Sequence, residues 1–241
     1  MSGIIDFHSH VLPGLDDGSV SVEESISMLL MEAEQGVKHV IATPHFYAQY
    51  DNLERFLEKR TRSEQLLRKE MKNHIGLPEL NIGAEVHFFT GISDSEAIEN
   101  LAIDSTKYIL IEMPHPPWSK EMYRDLEGIF AKRGLTPIVA HVDRYISRFR
   151  TFKIPERLEE LPVLVQANAE FFLQRSTAQM ALRMLERNQI HLLGSDCHNL
   201  QDRKPNLQPA IQVIQRKLGK RMICAIENNG KQCFSQSSFL R

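Results

Sequence analysis

Two pairs of metal-binding side-chain types stand two residues apart, His8-Ser9-His10 near the start of the chain and Asp196-Cys197-His198 far downstream. In extended backbone, side chains alternate between opposite sides, so both members of each pair point the same way and can grip one cation together. Between the pairs lie single residues of the same kinds: His45 after Thr43-Pro44, Glu85 after Gly83-Ala84, Glu112 after Ile111 and His141 after Ala140. A lone His-x-His carries little weight, and Glu85 or Glu112 taken singly reads as a buried or rim carboxylate paired with a neighbouring base. Convergence changes that balance. A buried, unpaired carboxylate is expensive, and several acids and imidazoles brought to one place need cations to be tolerated. Imidazole and carboxylate donors without thiolates suit manganese, iron or zinc. His39, His74, His87, His115 and His191 fall outside the pattern and read as structural or solvent-exposed.

Convergence requires elements that bring these residues to one end of the molecule. Short apolar runs recur at residues 4–8, 37–43, 80–85, 108–112, 136–141, 163–167 and 190–194, seven candidate strands with room for a helix between several of them. Ser21 with Glu24 forms a capping box and Gly36 a stop, which predicts a helix over 22–35 whose Met28, Leu29, Leu30 and Met31 are core. Residues 53–72 and 119–133, the latter ending against Gly134, read as outer-layer helices. Strands alternating with helices give parallel strands closed by helical crossovers. In a parallel barrel the loops after the strands share one face, and six of the seven candidate strands end in the residues above. No repeat, low-complexity segment or Pro/Gly/Ser-rich linker divides the chain, so residues 1–241 are expected to form a single domain. The pattern is weakest after Lys220.

Composition narrows the function classes. The 241 residues are 42% hydrophobic and 25% charged, the ordinary balance of a globular protein, and the formal net charge of −2 gives no general attraction to nucleic acid or anionic membranes. Three scattered cysteines, Cys197, Cys224 and Cys233, make neither a disulfide framework nor a zinc knuckle, and a reducing, cytoplasmic setting fits best. No signal peptide and no run long enough to span a bilayer is read, so membrane insertion is not expected. The residues fix no oligomeric state, and an oligomer is compatible with them.

Taken in order, His8-Ser9-His10, Leu12-Pro13-Gly14-Leu15-Asp16-Asp17-Gly18, Ala42-Thr43-Pro44-His45, Gly83-Ala84-Glu85, Ile111-Glu112, Ala140-His141-Val142-Asp143-Arg144-Tyr145 and Gly194-Ser195-Asp196-Cys197-His198-Asn199 resemble the motifs of bacterial CpsB/CapC-type tyrosine-protein phosphatases. These belong to the polymerase-and-histidinol-phosphatase (PHP) superfamily. The resemblance covers residues 4 to about 205, and its Asp-Asp-Gly and His-x-x-Arg-Tyr segments favour this branch over histidinol phosphatases. It implies an α/β fold, a distorted seven-stranded (β/α) barrel of the PHP type, holding three divalent ions, often manganese. By motif position it implies His8, His10, Asp17, His45, Glu85, Glu112, His141, Asp196 and His198 as metal ligands, with adjacent Asp16 not separable from Asp17 by spacing. It also implies Arg144 and Arg203 near the substrate phosphate, a phosphotyrosine protein as substrate, a cognate bacterial tyrosine kinase as partner, and a link to capsule or exopolysaccharide synthesis.

Three divalent ions carry about +6, and four carboxylates with one bridging hydroxide supply about −5, leaving a site able to accept a phosphate anion. Ions so bound would supply a metal-bridging hydroxide able to attack phosphorus in line without a covalent enzyme intermediate, and an arginine fork matches phosphate oxygens. Either arginine could instead pair with an acid such as Asp143 or Asp202. Cys197 and Arg203 have the Cys, five residues, Arg spacing of cysteine-dependent phosphatases. Yet Asp196 precedes Cys197, Lys204 follows Arg203, no glycine intervenes, and a flanking carboxylate raises a thiol's pKa. Other readings are a small-molecule PHP phosphatase such as histidinol phosphatase, a metal-dependent amidohydrolase and a noncatalytic docking module. The amidohydrolases commonly place a bridging Lys where this chain has Glu85 and Glu112.

Overall fold

The computed structural model describes residues 3–104, 106–146 and 153–235. All seven apolar segments are extended, but two are broken. The second divides into β2 (Val37–Ala42) and β3 (His45–Phe46), and the third into β4 (Glu79–Ile82) and β5 (Glu85–His87). Pro44, which has no N–H to give a ladder, sits at the first break. Gly83 sits at the second, where an added Cβ would approach Ile103 Cγ1 to 3.1 Å. The others are β1 (Ile4–Ser9), β6 (Tyr108–Glu112), β7 (Thr136–Val139), β8 (Leu164–Asn168) and β9 (Leu192–Gly194).

Every strand pair is parallel. The strands form two groups, ordered β1-β2-β4 and β3-β5-β6-β7-β8-β9. The architecture is thus an α/β fold with a curled parallel arrangement of nine strands in two sheets among the described residues, where the sequence predicts seven uninterrupted strands. The curl brings the ends of β1 and β9 together: the Asp196 N–H donates to the His8 carbonyl at 2.8 Å and the His10 N–H to the Cys197 carbonyl at 2.9 Å.

The helices follow their local signals. In α1 (Val22–Glu34), the Ser21 side chain accepts from the Glu24 N–H and Gly36 adopts φ +82° beyond the end. Met28 and Leu29 are fully buried, but Leu30 is exposed, because consecutive helix residues cannot all face one core. Truncating Leu29 to Ala would cost about 2–5 kcal/mol. The long α2 (Leu53–Met71) and α3 (Lys120–Arg133) agree with expectation, as does Gly134 at φ +64°. Short α4 (Ile154–Leu158) and α5 (Glu170–Leu173) precede α6 (Ala178–Glu186) and α7 (Leu207–Leu218). The weakly patterned tail forms α8 (Lys220–Ser235), and Gly230 lets it lie close against β1, since a Cβ there would stand 3.1 Å from both Ile5 and Phe7. Among the described residues, no helix is long and apolar enough to cross a membrane.

Candidate metal centre

β1 delivers His8 and His10 side by side at its C-terminal end, both buried, with their Nε2 atoms 3.1 Å apart. From β5, Glu85 Oε2 lies 3.0 Å from His8 Nε2, 3.3 Å from His10 Nε2 and 3.1 Å from His45 Nδ1. Its other oxygen is 2.7 Å from Nε2 of His141, which follows β7 and stands 3.5 Å from Glu112 Oε1 at the end of β6. Beyond β9, Asp196 Oδ1 is 3.4 Å from His8 and 3.5 Å from His10. The loop after β1 places Asp17 Oδ1 3.6 Å from His45 Nε2 and 3.4 Å from His198 Nε2. The fold thus gathers all nine residues named as metal ligands into one cluster.

Several of these atoms approach one another without forming hydrogen bonds. Glu85 Oε2 faces three imidazole nitrogens yet has no aligned hydrogen-bond donor, and His45 Nδ1 and His198 Nε2 are likewise buried without a hydrogen-bond partner. Buried polar atoms are normally paired. Donor atoms that converge on a common point rather than on each other are suited to a cation there. Four overlapping sets have donor atoms all within 4.8 Å of one another: His10–Asp17–His45–His198, His8–Glu85–His141, His8–His10–Asp196 and His45–Glu85–Glu112. The residues present therefore fit bound divalent ions.

The electrostatics describe a site that holds charge against burial. Burial opposes the Glu85 charge, but His8, His10 and His141 overrule it and hold the carboxyl well below its usual range. Asp196 is likewise depressed against burial, by His8, His10 and Arg144. Burial would keep His10 neutral, yet Asp16 and Glu85 push it up to about 10; Glu112 and Glu85 similarly raise His141 to about 9. Burial and the neighbouring His10 press His198 down to about 4, and burial lowers His45. His141 at φ 31° and Asp196 at φ 53° both occupy the left-handed region, at about 1–3 kcal/mol for a residue other than glycine. Strain falls on two residues of the cluster, where it aims the side chains.

Both arginines reach the cluster. Arg144, in the turn after β7, hydrogen-bonds Asp196 Oδ2, and Arg203 donates to Asp196 Oδ1 at 2.7 Å. Asp143 instead accepts the Asn168 N–H at 2.9 Å. Each guanidinium stays partly open to solvent at the rim. Cys197 faces the other way. It is fully buried, its Sγ is 4.0 Å from Glu32 Oε1, and burial, then Glu32 and Asp6, push the thiol well above its ordinary value. A thiolate nucleophile has neither access nor ionisation there.

The family described as capsular polysaccharide synthesis, CpsB/CapC, matches residues 4–234. The chain belongs to that family. It is 28% identical to the tyrosine-protein phosphatase YwqE of Bacillus subtilis, over 99% of this chain and 94% of that protein. It is 29% identical to the tyrosine-protein phosphatase CpsB of Streptococcus pneumoniae, over 90% of this chain and 91% of that one. A crystal structure from work on YwqE and CpsB, described there as metal-dependent tyrosine phosphatases, matches with a TM-score of 0.81 at 24% identity, covering 94% of this chain and 93% of that one. The two share a fold.

Within this CpsB/CapC chain, Asp16, which spacing does not separate from Asp17, and several residues outside the predicted set hold the cluster in place. Asp16 accepts from His10 Nδ1 at 2.7 Å, which leaves Nε2 directed into the site, and also takes the N–H groups of His45 and Gly18, each at 3.0 Å. Buried Asp6 accepts the His8 N–H at 3.0 Å, the Ser195 N–H at 2.9 Å and the Ser195 hydroxyl at 2.5 Å, tying the ends of β1 and β9. The sixth segment, β8, had yielded no ligand. It carries Gln166, which accepts the His141 N–H at 2.6 Å and donates to Asn168, which donates to Asp196 Oδ2 at 3.0 Å. The signals were present: Asp6 extends the two-residue period of His8 and His10, and Gln166-x-Asn168 is a polar pair on one side of an apolar strand. His87, read as structural or exposed, is partly exposed and bonds Glu112 through Nδ1 at 3.1 Å.

Proposed function

We propose that this chain is a metal-dependent protein-tyrosine phosphatase, a phosphoric monoester hydrolase. The observation that carries the reading is the convergence of nine imidazoles and carboxylates, several of which leave buried donor atoms unpaired; membership of the CpsB/CapC family supplies the substrate class. His8, His10, Asp17, His45, Glu85, Glu112, His141, Asp196 and His198 would hold the ions. Asp17 is preferred to Asp16, because Asp16 is already engaged by His10, His45 and Gly18 while Asp17 faces two imidazoles. Three ions are the number the family resemblance implies, and the overlapping donor sets support more than one. Manganese is favoured, with iron or zinc compatible with the same donors.

When bound, such ions supply Lewis acidity toward phosphoryl oxygens and make water nucleophilic at neutral pH. The chain's own residues do the rest. Asp16 fixes the His10 tautomer, the Asp6–Ser195 clamp sets the spacing of β1 and β9, and Arg144 and Arg203 offer planar donor forks at the rim to orient a phosphoryl group. The fold is taken as one domain over residues 1–241. It is a distorted seven-stranded barrel when β2 with β3 and β4 with β5 are each counted as one interrupted strand; the contact between the ends of β1 and β9 supports this. The family supports a cognate bacterial tyrosine kinase as partner and a role in capsule or exopolysaccharide synthesis, and the scattered unpaired cysteines support a cytoplasmic setting.

The deciding experiment is hydrolysis of a phosphotyrosine peptide by metal-stripped protein with and without added manganese, beside a phosphoserine peptide and histidinol phosphate. Manganese-dependent release from phosphotyrosine in preference to the others is expected. Absence of turnover on every phosphoester, with metal shown to be bound, overturns the reading.

A further inference from the structure

The two-residue period that builds the metal centre continues outward for one more step on two neighbouring strands. His45 and Glu85 are register partners, and β5 in turn sets His87 against Glu112. Two residues on from His45 stands Tyr47, and two on from Glu85 stands His87. Their rings meet at 5.4 Å between centroids, and the Tyr47 ring also lies 5.4 Å from that of His45. An aromatic wall therefore stands directly above two residues of the metal cluster.

Opposite this wall runs the segment after β6. Tyr145 Oη accepts the Met113 N–H at 2.8 Å, and Trp118 Nε1 donates to the Pro114 carbonyl at 2.7 Å while packing edge-on against Tyr145. The segment is thus pinned at both ends by buried aromatic side chains. Between wall and segment lies a cleft of about 360 Å³; the lining it shares with the metal cluster and its neighbouring arginine, Glu112, His141 and Arg144, is its floor. Its inner end is charged and lies against the metal cluster, whereas its sides are rings and a proline. That size is at the small end for ligand pockets, enough for one aromatic side chain rather than a length of peptide.

We propose that this cleft is the subsite for the leaving group's aromatic ring, and that Tyr47, with His87 and the Met113–Pro114 segment opposite, sets a preference for aryl over alkyl phosphate monoesters. This rests on the phosphatase reading and adds the residues that select the substrate. A ring held between the wall and Pro114 keeps the peptide backbone at the rim while its phosphate reaches the floor. A serine phosphate has no ring to occupy the space between the wall and Pro114.

The test compares manganese-loaded wild type, Tyr47→Ala and Tyr47→Phe on a phosphotyrosine peptide, phenyl phosphate, a phosphoserine peptide and glycerol 3-phosphate. Binding of phenylphosphonate and methylphosphonate is measured by calorimetry alongside. Tyr47→Ala is expected to lower kcat/KM for both aryl esters about tenfold, chiefly through KM. Alkyl esters and metal content should change little, and Tyr47→Phe should restore the aryl rates. Phenylphosphonate should lose its advantage over methylphosphonate in Tyr47→Ala alone. Tyr47→Leu, which keeps apolar bulk without a ring, replaces Ala if that variant folds poorly. An equal loss on aryl and alkyl esters, or an unchanged phosphonate preference, overturns the subsite. Wild type that turns over no ester would overturn the phosphatase reading separately, while the phosphonate comparison would still decide whether the cleft selects a ring.

Discussion

Replacing Cys197 with Ser separates the metal mechanism from the cysteine mechanism that the Cys197–Arg203 spacing imitates. A thiol at the ordinary value of 9.0 is only about 1% ionised at pH 7, and each further unit removes another factor of ten. Burial, Glu32 and Asp6 raise Cys197 well above that value, so its thiolate population in the folded protein is negligible. The side chain is also fully buried on the side away from the donor cluster. Cys197→Ser should therefore retain kcat and KM on a phosphotyrosine peptide within about threefold. The smaller hydroxyl loses some packing and gains a stronger donor toward Glu32, for a net destabilisation of about 1 kcal/mol or less. That corresponds to a fall of about 2–4 °C in the melting midpoint for a chain of this size. Removing a true nucleophile costs on the order of 10⁴–10⁶ in kcat, so the outcomes do not overlap. Steady-state phosphate release with metal content measured on the same samples decides it. A soluble variant with wild-type metal content and activity down more than a thousandfold would refute the reasoning.

Glu85→Gln keeps the shape of the residue that faces His8, His10, His45 and His141 but removes its charge, and His198→Ala removes a donor; both variants should lose bound metal and activity together. Metal content at wild-type level in either one counts against the site. Because His10 and His141 are raised to about 10 and 9 without metal, bound protons must leave before ions enter, and manganese affinity should climb between pH 7 and 9 by up to about tenfold per unit per proton displaced. Calorimetric titration in two buffers of different ionisation heat would measure that release, and a flat profile would contradict it. Buried Glu32 is held well above its ordinary 4.5 by burial and by Asp6. Its proton binds more tightly in the folded state, so the group's contribution is intact below pH 4.5 and is lost as pH rises toward the raised value, by up to about 1.4 kcal/mol per unit. Glu32→Gln should consequently gain stability over wild type as pH increases from 4.5, and urea unfolding midpoints whose difference stays constant to pH 8 would exclude this.

By itself, the sequence determined the alternation of strand and helix and the six strand ends that carry donors. Those features are written in short-range pattern: alternation along His8-Ser9-His10, the capping box at Ser21, the stops at Gly36 and Gly134. Family membership was equally legible, because its motifs are short and ordered along the chain. Tertiary structure decided what depends on neighbours distant in sequence. How the two adjacent acids divide among the imidazoles is fixed by how the loop after β1 turns, which sets Asp16 against His10 and leaves Asp17 opposite His45 and His198. The roles of Asp6, Gln166 and Asn168 exist only because β1 and β9 meet and β8 lies beside β7 and β9. Arg144 and Arg203 were placed at the site from sequence, but their shared grip on Asp196 required the fold. The same holds for Tyr47 and His87. Each is unremarkable along the chain, and only the register of β3 against β5 brings the two rings together beside the donors.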